Sequence, residues 1–363
     1  MKRTILFLCL LITLGATAQD LRRMADSVRL RRRVPALVYA VLSADSILTV
    51  GGVGYKVFRT KDTIQLNSRF HIGTATASLT SYIAAHLVAK GKILYNTTIE
   101  KSFPSFAAKC RAEYRGITLA DCLSQRAGFK VFNNYIDFST LPNLGGTPIQ
   151  SRQRFVEWIV QQKNSKDTVA KRNYQFTNAN TAVAAAMLEK AAGKPWEELL
   201  QEYINTPLGL TIKTEWPNRV AATEPWGHWM EGGDNFRSLD PQYWFRVPGY
   251  FTGAADANVS IIDYAKFIQD HLKGLQAQKA KLPNRAYELM HYGYKDYAFG
   301  WTNLQVNNLH ISESDGTVGS FYSHVAVIKE KNIAVIVMCN SGDNAAKGAC
   351  LNLARLLRQV YIK

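Results

Sequence analysis

A threonine at the start of a predicted helix has a side chain that could act as a nucleophile or bind an anion. In the stretch Phe70–Lys90, apolar residues recur at three- and four-residue steps after Gly73, which predicts a helix beginning at Ala75 and ending before Gly91. Backbone N–H groups at a helix start are unpaired and carry partial positive charge, so Thr74 lies where nucleophiles and anions are often held. Two interpretations stay open: Thr74 is only the N-cap of the helix, or it is a reactive or ligand-binding group.

The same stretch, FHIGTATASLTSYIAAHLVAK, resembles a known nucleophile segment. It is similar to that of the serine β-lactamase and penicillin-binding-protein superfamily, in particular its class C β-lactamase, DD-peptidase and esterase branch. In that family a Ser-x-x-Lys box follows Phe-x-Ile-Gly, and the lysine helps to take the proton of the serine that is acylated. Here Thr74 stands in place of the serine and Ala77 in place of the lysine. The resemblance therefore implies the frame of a serine hydrolase without its lysine.

The second catalytic element of the family, Tyr-x-Asn, corresponds to Phe176-Thr177-Asn178. Its tyrosine is thought to act as general base with the lysine, whereas phenylalanine has no proton to exchange. Asn178 is retained, and two roles remain open for it. It could hydrogen-bond a ligand amide, or it could cap a helix that starts at Ala179.

The third element, Lys-Thr-Gly or His-x-Gly on a strand beside the nucleophile, corresponds to Ser314-Asp315-Gly316. Gly316 leaves room for a close approach of the backbone. The cation that binds a substrate carboxylate is absent at Ser314, and Asp315 is expected to add a negative charge to the site. An anionic substrate should therefore be attracted less, or repelled.

The resemblance covers most of the chain and so implies a fold. It implies a β-lactamase/transpeptidase-like architecture of the α/β (α+β) class, in which terminal helices flank an antiparallel sheet with a largely helical insertion. Further matching segments are Ile117–Phe129 (with Gln125 in place of a histidine), Phe176–Thr211, Pro225–His228, Tyr297–Trp301 and Ser314–Asn340.

The periodicity of the sequence independently predicts elements that fit this fold. Strands are predicted at both ends of the chain and helices between them, which indicates a mixed α/β layer with a helical insertion. We expect an α/β part of about residues 19–98 and 250–363 and a helical part of about 99–249. The predicted terminal elements are a helix Arg22–Arg32, strands Ala36–Leu42 and Ile47–Val50, a hairpin of Ser323–Ile328 with Asn332–Cys339, and a helix Ala345–Val360.

The first 18 residues have the pattern of a secretory signal peptide. Lys2 and Arg3 precede the apolar run Ile5–Leu14, and small residues end at Ala18, near which cleavage is expected. We therefore expect an exported protein, periplasmic or secreted. No later segment approaches the roughly 20 apolar residues of a membrane span.

The chain of 363 residues carries a formal net charge of +16. Its densest basic cluster, Arg22/Arg23 and Arg29–Arg33, lies on the first predicted helix and is either a solvated face or a patch for an anionic partner. Recognised nucleic-acid-binding motifs are absent, which argues against that class of partner.

Four cysteines remain after the leader, Cys110, Cys122, Cys339 and Cys350, and their pairing stays open. Their spacing resembles no zinc site, and neither a metal nor a cofactor is expected. The oligomeric state is not predicted.

Two functional hypotheses follow. In the first, the protein is a non-catalytic relative of serine hydrolases that binds a small-molecule, peptide, ester or cell-wall-derived ligand. In the second, it is a weak or repurposed hydrolase that uses Thr74, with His71 or His228 as a substitute base. The expected ligand-binding residues are Thr74, Asn178, His228, Asp315 and Gly316.

Overall fold

A six-stranded antiparallel sheet, built from the two ends of the chain, forms the centre of the molecule. The computed structural model describes residues 18–133, 135–163, 172–230, 236–306 and 308–362, so the signal peptide predicted for residues 1–18 lies, apart from Ala18, outside the described residues. The strand order is β2-β1-β11-β10-β9-β8. These strands are β1 (Ala36–Leu42), β2 (Ile47–Gly54), β8 (Thr302–Val306), β9 (Leu309–Thr317), β10 (Tyr322–Ile328) and β11 (Ile333–Cys339).

Short strands and many helices make up the remainder of the fold. A three-stranded sheet has the order β3-β7-β4, and β5 pairs with β6. These strands are β3 (Arg69–Gly73), β4 (Lys213–Thr214), β5 (Gly227–Met230), β6 (Phe236–Leu239) and β7 (Ala257–Ser260). The helices are α1 (residues 18–32), α2 (Thr76–Ala89), α3 (Ile99–Ser102), α4 (Leu119–Leu123), α5 (Tyr135–Ser139), α6 (Pro148–Ile159), α7 (Asn178–Ala192), α8 (Trp196–Leu200), α9 (Thr206–Leu208), α10 (Pro217–Val220), α11 (Thr252–Ala255), α12 (Ile261–Leu275), α13 (Asn284–Tyr292) and α14 (Asn344–Tyr361).

Both faces of the central sheet are covered, which explains why β1, β10 and β11 are buried at every position and why β1 and β11 are continuous apolar runs. Successive side chains of a strand point to opposite faces. Tyr39 and Val337 therefore pack against α1 and α14, while Val38 and Ile336 join the larger core that includes α2 and α12. The predicted mixed α/β fold with terminal helices on an antiparallel sheet is confirmed.

The helical region is tied together by a buried ion cluster. Arg152 of α6 is 1 % exposed and pairs with Glu189 of α7 and with Glu197 of α8. The Glu189 carboxylate also accepts the backbone N–H of Trp196 at 2.7 Å. Burial raises the pKa of Glu189 despite the nearby guanidinium, so the cluster fixes geometry more than it adds stability.

All four cysteines of the described region are free and buried. Cys339 of β11 and Cys350 of α14 lie in one apolar cluster, and burial raises the pKa of the Cys350 thiol. Among the described residues, no helix combines the length and the hydropathy that crossing a membrane requires.

Candidate active site

The turn between β3 and α2 presents Thr74 at the surface of the molecule. Gly73 adopts a left-handed conformation with φ of 51°, and a Cβ there would lie 2.5 Å from the backbone of Thr317. Thr74 is half-buried, and its hydroxyl donates to the backbone carbonyl of Asp315 at 3.2 Å. Glycine is required here because the turn lies directly against strand β9.

The expected N-cap role of Thr74 is not what the structure shows. Helix α2 begins at Thr76, two residues after Thr74, and its N-cap residue Ala75 makes no side-chain cap. The Thr76 hydroxyl instead donates to the Gly73 carbonyl at 2.6 Å and accepts the N–H of Ala257 at 3.0 Å. Thr76 therefore ties the turn to β7, and the Thr74 hydroxyl contacts β9.

Strand β9 brings Ser314 and Gly316 to the side of the sheet that faces this turn. A Cβ on Gly316 would lie 1.8 Å from the carbonyl oxygen of Ile72 and 2.6 Å from the nitrogen of Ala75. Ser314, two residues earlier on the same face, is 3 % exposed. The predicted close approach at Gly316 is therefore present, with a neutral hydroxyl at the position of the family's cation.

Asp315 was expected from the sequence to add a negative charge to the site, and the structure corrects this expectation. Its carboxylate points to the opposite face of the sheet. There it lies 2.6 Å from Nδ1 of His324 and accepts the hydroxyl of Tyr322 at 2.9 Å. Burial alone would raise the pKa of Asp315, but these partners hold it below its ordinary value. Its negative charge is therefore balanced behind the sheet, and only its backbone carbonyl reaches Thr74.

Ala77 lies in the first turn of α2 and is 3 % exposed. Gly300 packs against this turn with φ of 85°, and a Cβ on Gly300 would lie 2.7 Å from Cα of Ser78. The segment Tyr297–Trp301 therefore covers the position where the family carries its lysine. The methyl group of Ala77 can neither accept a proton nor hold a charge.

Phe176 belongs to an aromatic wall that consists of Tyr174, Phe176 and Tyr297. The ring of Phe176 meets that of Tyr297 edge-on at 6.0 Å between centroids, and Tyr174 stacks on Tyr297 at 5.5 Å. Tyr174 is 42 % exposed, Phe176 is half-buried and Tyr297 is buried. Because Tyr297 and Gly300 belong to one segment, Phe176 and Ala77 both lie beside Tyr297–Trp301.

Tyr297 does not replace the missing catalytic tyrosine as a base. Burial raises its pKa, and the neighbouring Tyr174 adds to the shift. Its phenol therefore stays protonated at neutral pH. Tyr297 was predictable only as part of a matching motif, and the role of Tyr174 was not predicted, although an aromatic residue two positions before Phe176 is a signal that the sequence contains.

Asn178 is buried inside the protein and is not exposed to a ligand. It is 1 % exposed, its Nδ2 donates to the carbonyl of Phe132 at 3.0 Å, and its backbone N–H donates to Oδ1 of Asn133 at 3.1 Å. Helix α7 begins at Asn178, and the N-cap is Thr177, whose hydroxyl accepts the N–H of Ala179 at 3.3 Å. Both sequence-based roles of Asn178 are therefore replaced by a structural one.

Gln125, which stands where the family has a histidine, orders the same segment. Its Oε1 accepts the N–H of Thr177 and the Nδ2 of Asn180 at 3.0 and 2.9 Å. Its Nε2 donates to the hydroxyl of Thr181 at 3.0 Å. These bonds hold the loop that carries Phe176 against the start of α7.

His71 lies beneath the Thr74 turn but is not available as a base. It is fully buried, its Nδ1 accepts the N–H of Gly73 at 3.1 Å, and its Nε2 lies 3.1 Å from Oδ1 of Asp256. Because Nδ1 accepts, the proton resides on Nε2 and is donated to the carboxylate. His71 therefore shapes the turn and does not act on the Thr74 hydroxyl.

His228 is likewise structural, contrary to the ligand-binding role expected from the sequence. It is fully buried, with Nδ1 at 2.7 Å from the carbonyl of Asn340 and Nε2 accepting the N–H of Phe58 at 3.0 Å. Burial lowers the pKa of His228 to about 4, so the ring is neutral. It joins distant segments and does not contact the Thr74 turn through these bonds.

The assembled site is a frame with neutral side chains at the positions that do chemistry in the resembled enzymes. The turn, α2 and β9 bring together Thr74, Ala77, Ser314 and Gly316. Phe176 is linked to them through Tyr297 of the covering segment. Within the described parts of the chain, no group of three histidine, cysteine, aspartate or glutamate side chains is arranged to hold a metal.

Comparison with known proteins gives the same family over nearly the whole chain. The beta-lactamase family profile matches residues 17–359. One relative, the unguisins hydrolase ungD of Aspergillus violaceofuscus, is 23 % identical over 345 residues, which cover 85 % of this chain. The aligned region covers 59 % of the length of that hydrolase.

Solved structures show the same fold at low sequence identity. The D-amino acid amidase of Ochrobactrum anthropi, solved with L-phenylalanine amide, superposes with a TM-score of 0.74 at 17 % identity, covering 96 % of this chain and 98 % of that one. A class C beta lactamase of Rhodobacter sphaeroides gives 0.73 at 14 % identity, covering 94 % and 99 %. Given the match over residues 17–359 and the shared fold, the chain belongs to the beta-lactamase family.

Proposed function

We propose that the protein is an exported, non-catalytic member of this family that binds a ligand in the cleft between the Thr74 turn, strand β9 and the aromatic wall. One observation carries the proposal. The Thr74 hydroxyl donates to the carbonyl of Asp315, while Ala77, Phe176 and Ser314 stand where a lysine, a tyrosine and a cation would act. Export rests on the leader pattern of residues 1–18.

The loss of activity follows from how such sites work. A threonine hydroxyl is a weak nucleophile without a base within reach. The imidazole rings of His71 and His228 are already hydrogen-bonded to other groups. Members of a catalytic unit are not independent, so removal of one already costs several orders of magnitude in rate. Because three of these positions are replaced, the Thr74 hydroxyl has little assistance as a nucleophile.

The lining of the cleft also favours a class of ligand. Ser314 is neutral and the carboxylate of Asp315 lies behind the sheet, so a ligand carboxylate finds no cation at the family's position. Tyr174 and Phe176, which pack on the buried Tyr297, offer ring surface that suits an aromatic or apolar group. We therefore propose a small-molecule, peptide, ester or cell-wall-derived ligand that is recognised mainly by an apolar group.

A second candidate function is a weak esterase or amidase that uses Thr74. It is favoured by the half-buried position of Thr74 just before α2 and by relatives that are named as a hydrolase and an amidase. The two candidates differ in whether a covalent bond to Thr74 forms.

The first test measures covalent labelling. The purified protein and a Thr74→Val control are incubated with a fluorophosphonate and with a fluorescent penicillin, and intact mass is recorded. We expect no adduct on either protein. An adduct on the native chain that is missing from Thr74→Val would establish the second candidate instead.

A parallel arm measures non-covalent binding with L-phenylalanine amide and a muramyl peptide as probes, using thermal shift and calorimetry. Phe176→Ala should weaken the binding of a responding probe about tenfold, because a ring contact contributes on the order of 1 kcal/mol or more. Phe106→Ala removes a half-buried ring elsewhere and serves as the matched control. Equal loss in both variants would contradict a ligand site at the aromatic wall.

A further inference from the structure

A groove runs between helix α1 and the free edge of strand β2, on the part of the molecule formed by the N-terminal elements. Two overlapping cavities of about 510 and 560 Å³ form it. Both are lined by Arg22, Val53, Gly54 and Thr63, so they constitute one continuous space. A volume of this size is typical of a binding site. We call it the α1–β2 groove.

Arginines line one side of this groove. Arg22 and Arg23 are exposed, and Arg23 has a solvent-exposed contact with Asp20 at 3.7 Å. Arg29 is fixed by Asp26 at 2.7 Å and lies over the ring of Tyr55 at 5.8 Å. Residues 19–33 contain six arginines and two aspartates. The groove therefore has a positive wall, part of which is held rigidly.

The other side of the groove is a sheet edge. β2 ends the strand order and has β1 as its neighbour. At its end the N–H of Ile64 already donates to the carbonyl of Gly54 at 3.1 Å, so outward-pointing backbone N–H and C=O groups remain for pairing along the part of the edge before Gly54. Its sequence, ILTVGGVG, contains no charge and no proline, which are the devices that commonly protect an edge from pairing. Leu48 on this strand is 41 % exposed.

Two glycines of β2 allow neighbouring side chains to pack directly on the strand. The place of a side chain at Gly51 is taken by the ring of Tyr39, whose atoms would lie 2.4 Å from a Cβ. Gly52 packs its backbone close to Val38 and Ile64. The floor of the groove at these positions therefore combines the backbone of β2 with the ring of Tyr39 and the side chain of Ile64.

We propose that the α1–β2 groove binds an extended, acidic segment of a partner protein, which adds to the sheet as a strand beside β2. The backbone of the segment would pair with the outward groups of β2, and its acidic side chains would face Arg22 and Arg23. Charge complementarity selects an acidic segment, and the uncharged, proline-free part of the edge before Gly54 selects a polypeptide over other polyanions. The inference is independent of the Thr74 cleft.

The experiment uses the full chain and a fluorescent, end-capped peptide of alternating glutamate and valine, with binding followed by anisotropy at low salt. The double variant Arg22→Glu/Arg23→Glu should weaken binding about tenfold or more, since two favourable charge contacts become repulsive. Lys92→Glu/Lys190→Glu makes the same change of charge at two other exposed positions and should change the affinity by less than about twofold.

Two N-methylated versions of the peptide test strand addition itself. One carries methyl groups on its odd amides and the other on its even amides. Because only alternate amides of an added strand face β2, one version should bind like the parent and the other should lose binding. All variants alter exposed side chains or the probe, so folding is retained and a circular-dichroism spectrum verifies it.

Four results would overturn the proposal. They are equal binding of the two N-methylated peptides, equal loss in the two charge variants, equal binding of a lysine–valine peptide, and displacement of the probe by heparin as readily as by unlabelled peptide. A self-association through β2 that competes with the probe, seen by sedimentation, would identify a second copy of the chain as the occupant instead.

Discussion

The side chains at the three replaced catalytic positions need no charged partner when they are buried. These positions are Ala77, Phe176 and Ser314. Ala77 and Ser314 are 3 % exposed, and an ammonium group at either position would lose most of its hydration. In an active enzyme such groups are retained for chemistry at a cost in stability. Here the glycines that shape the turn are retained, while the ionisable groups that would act on it are absent.

Repair of the site is the test at this scale. Thr74→Ser, Ala77→Lys, Phe176→Tyr and Ser314→Lys are introduced together, and hydrolysis of an activated ester is measured. We expect detectable esterase activity in the quadruple variant and almost none in each single variant, because nucleophile, base and proton relay act as a unit. The gain should be modest, since supporting contacts are also adapted to the present residues.

Thermal melts of two single variants provide the control. Ala77→Lys alone places a charge without a partner in a buried position and should cost about 1–3 kcal/mol. Phe176→Tyr adds one hydroxyl to a half-buried ring and should cost less than about 1 kcal/mol. If Ala77→Lys leaves the thermal stability unchanged and the quadruple variant has no esterase activity, then Ala77 and Phe176 do not share a cleft.

Among the structural elements, the β3–α2 turn is held by contacts that leave no room for side chains. Gly73 lies against Thr317, Gly300 against Ser78, and Gly316 against Ile72. The Ser323 hydroxyl adds a bond to the carbonyl of Ile72 at 3.2 Å. The turn is therefore positioned by backbone packing that is independent of catalytic side chains, which explains how the frame persists without them.

Gly316→Ala tests this packing. A methyl group 1.8 Å from the Ile72 oxygen forces β9 away from the turn, and we expect a loss of about 3 kcal/mol or more in the free energy of unfolding. Gly249→Ala is the matched control, because a Cβ there meets nothing within 4 Å. Urea denaturation of the two variants checks the difference, and equal midpoints would argue against close packing at Gly316.

Elements were more predictable than side-chain roles. The hairpin of β10 and β11 follows from two apolar, β-branched runs around Lys329–Lys331, and the structure pairs Ile328 with Ile333. Alternation along β9 could also have placed Asp315 opposite Gly316, once Gly316 was assigned to the turn. Burial of His228 was not predictable, because its partners Asn340 and Phe58 are distant in the sequence.

For the whole molecule, buried histidines connect the fold to pH. Burial lowers the pKa of His228 to about 4 and that of His271 to about 3. His271 Nδ1 lies 2.9 Å from Nε2 of His291, whose pKa burial also lowers. His228 joins segments that are far apart in the chain, and His271 joins α12 to His291 of α13. The rings do so in the neutral form.

Acid should therefore destabilise the protein well before its carboxylates titrate. An unfolded histidine takes up a proton below about pH 6.5 and these folded ones do not, so stability is full above that pH and falls as the pH is lowered towards about 4. Each such ring contributes up to about 1.4 kcal/mol per pH unit. Urea denaturation across this range measures the slope.

His228→Gln should flatten that slope by the contribution of one ring, whatever it does to stability at neutral pH. His310→Gln changes a histidine whose side chain is 55 % exposed and serves as the control. An unchanged slope in His228→Gln would show that His228 is not held neutral by the fold.

The central sheet also determines when the protein can fold during its synthesis. β1 pairs with β11, so that Leu37 lies opposite Cys339. Contacts between such distant positions require closure of a very long loop, which is slow compared with local hairpin and helix formation. Until the ribosome has released β11, the first strand lacks its central partner and its apolar side chains stay uncovered. The nascent chain therefore remains open to chaperones, and to any translocation machinery that needs unfolded polypeptide, until β11 has been synthesised.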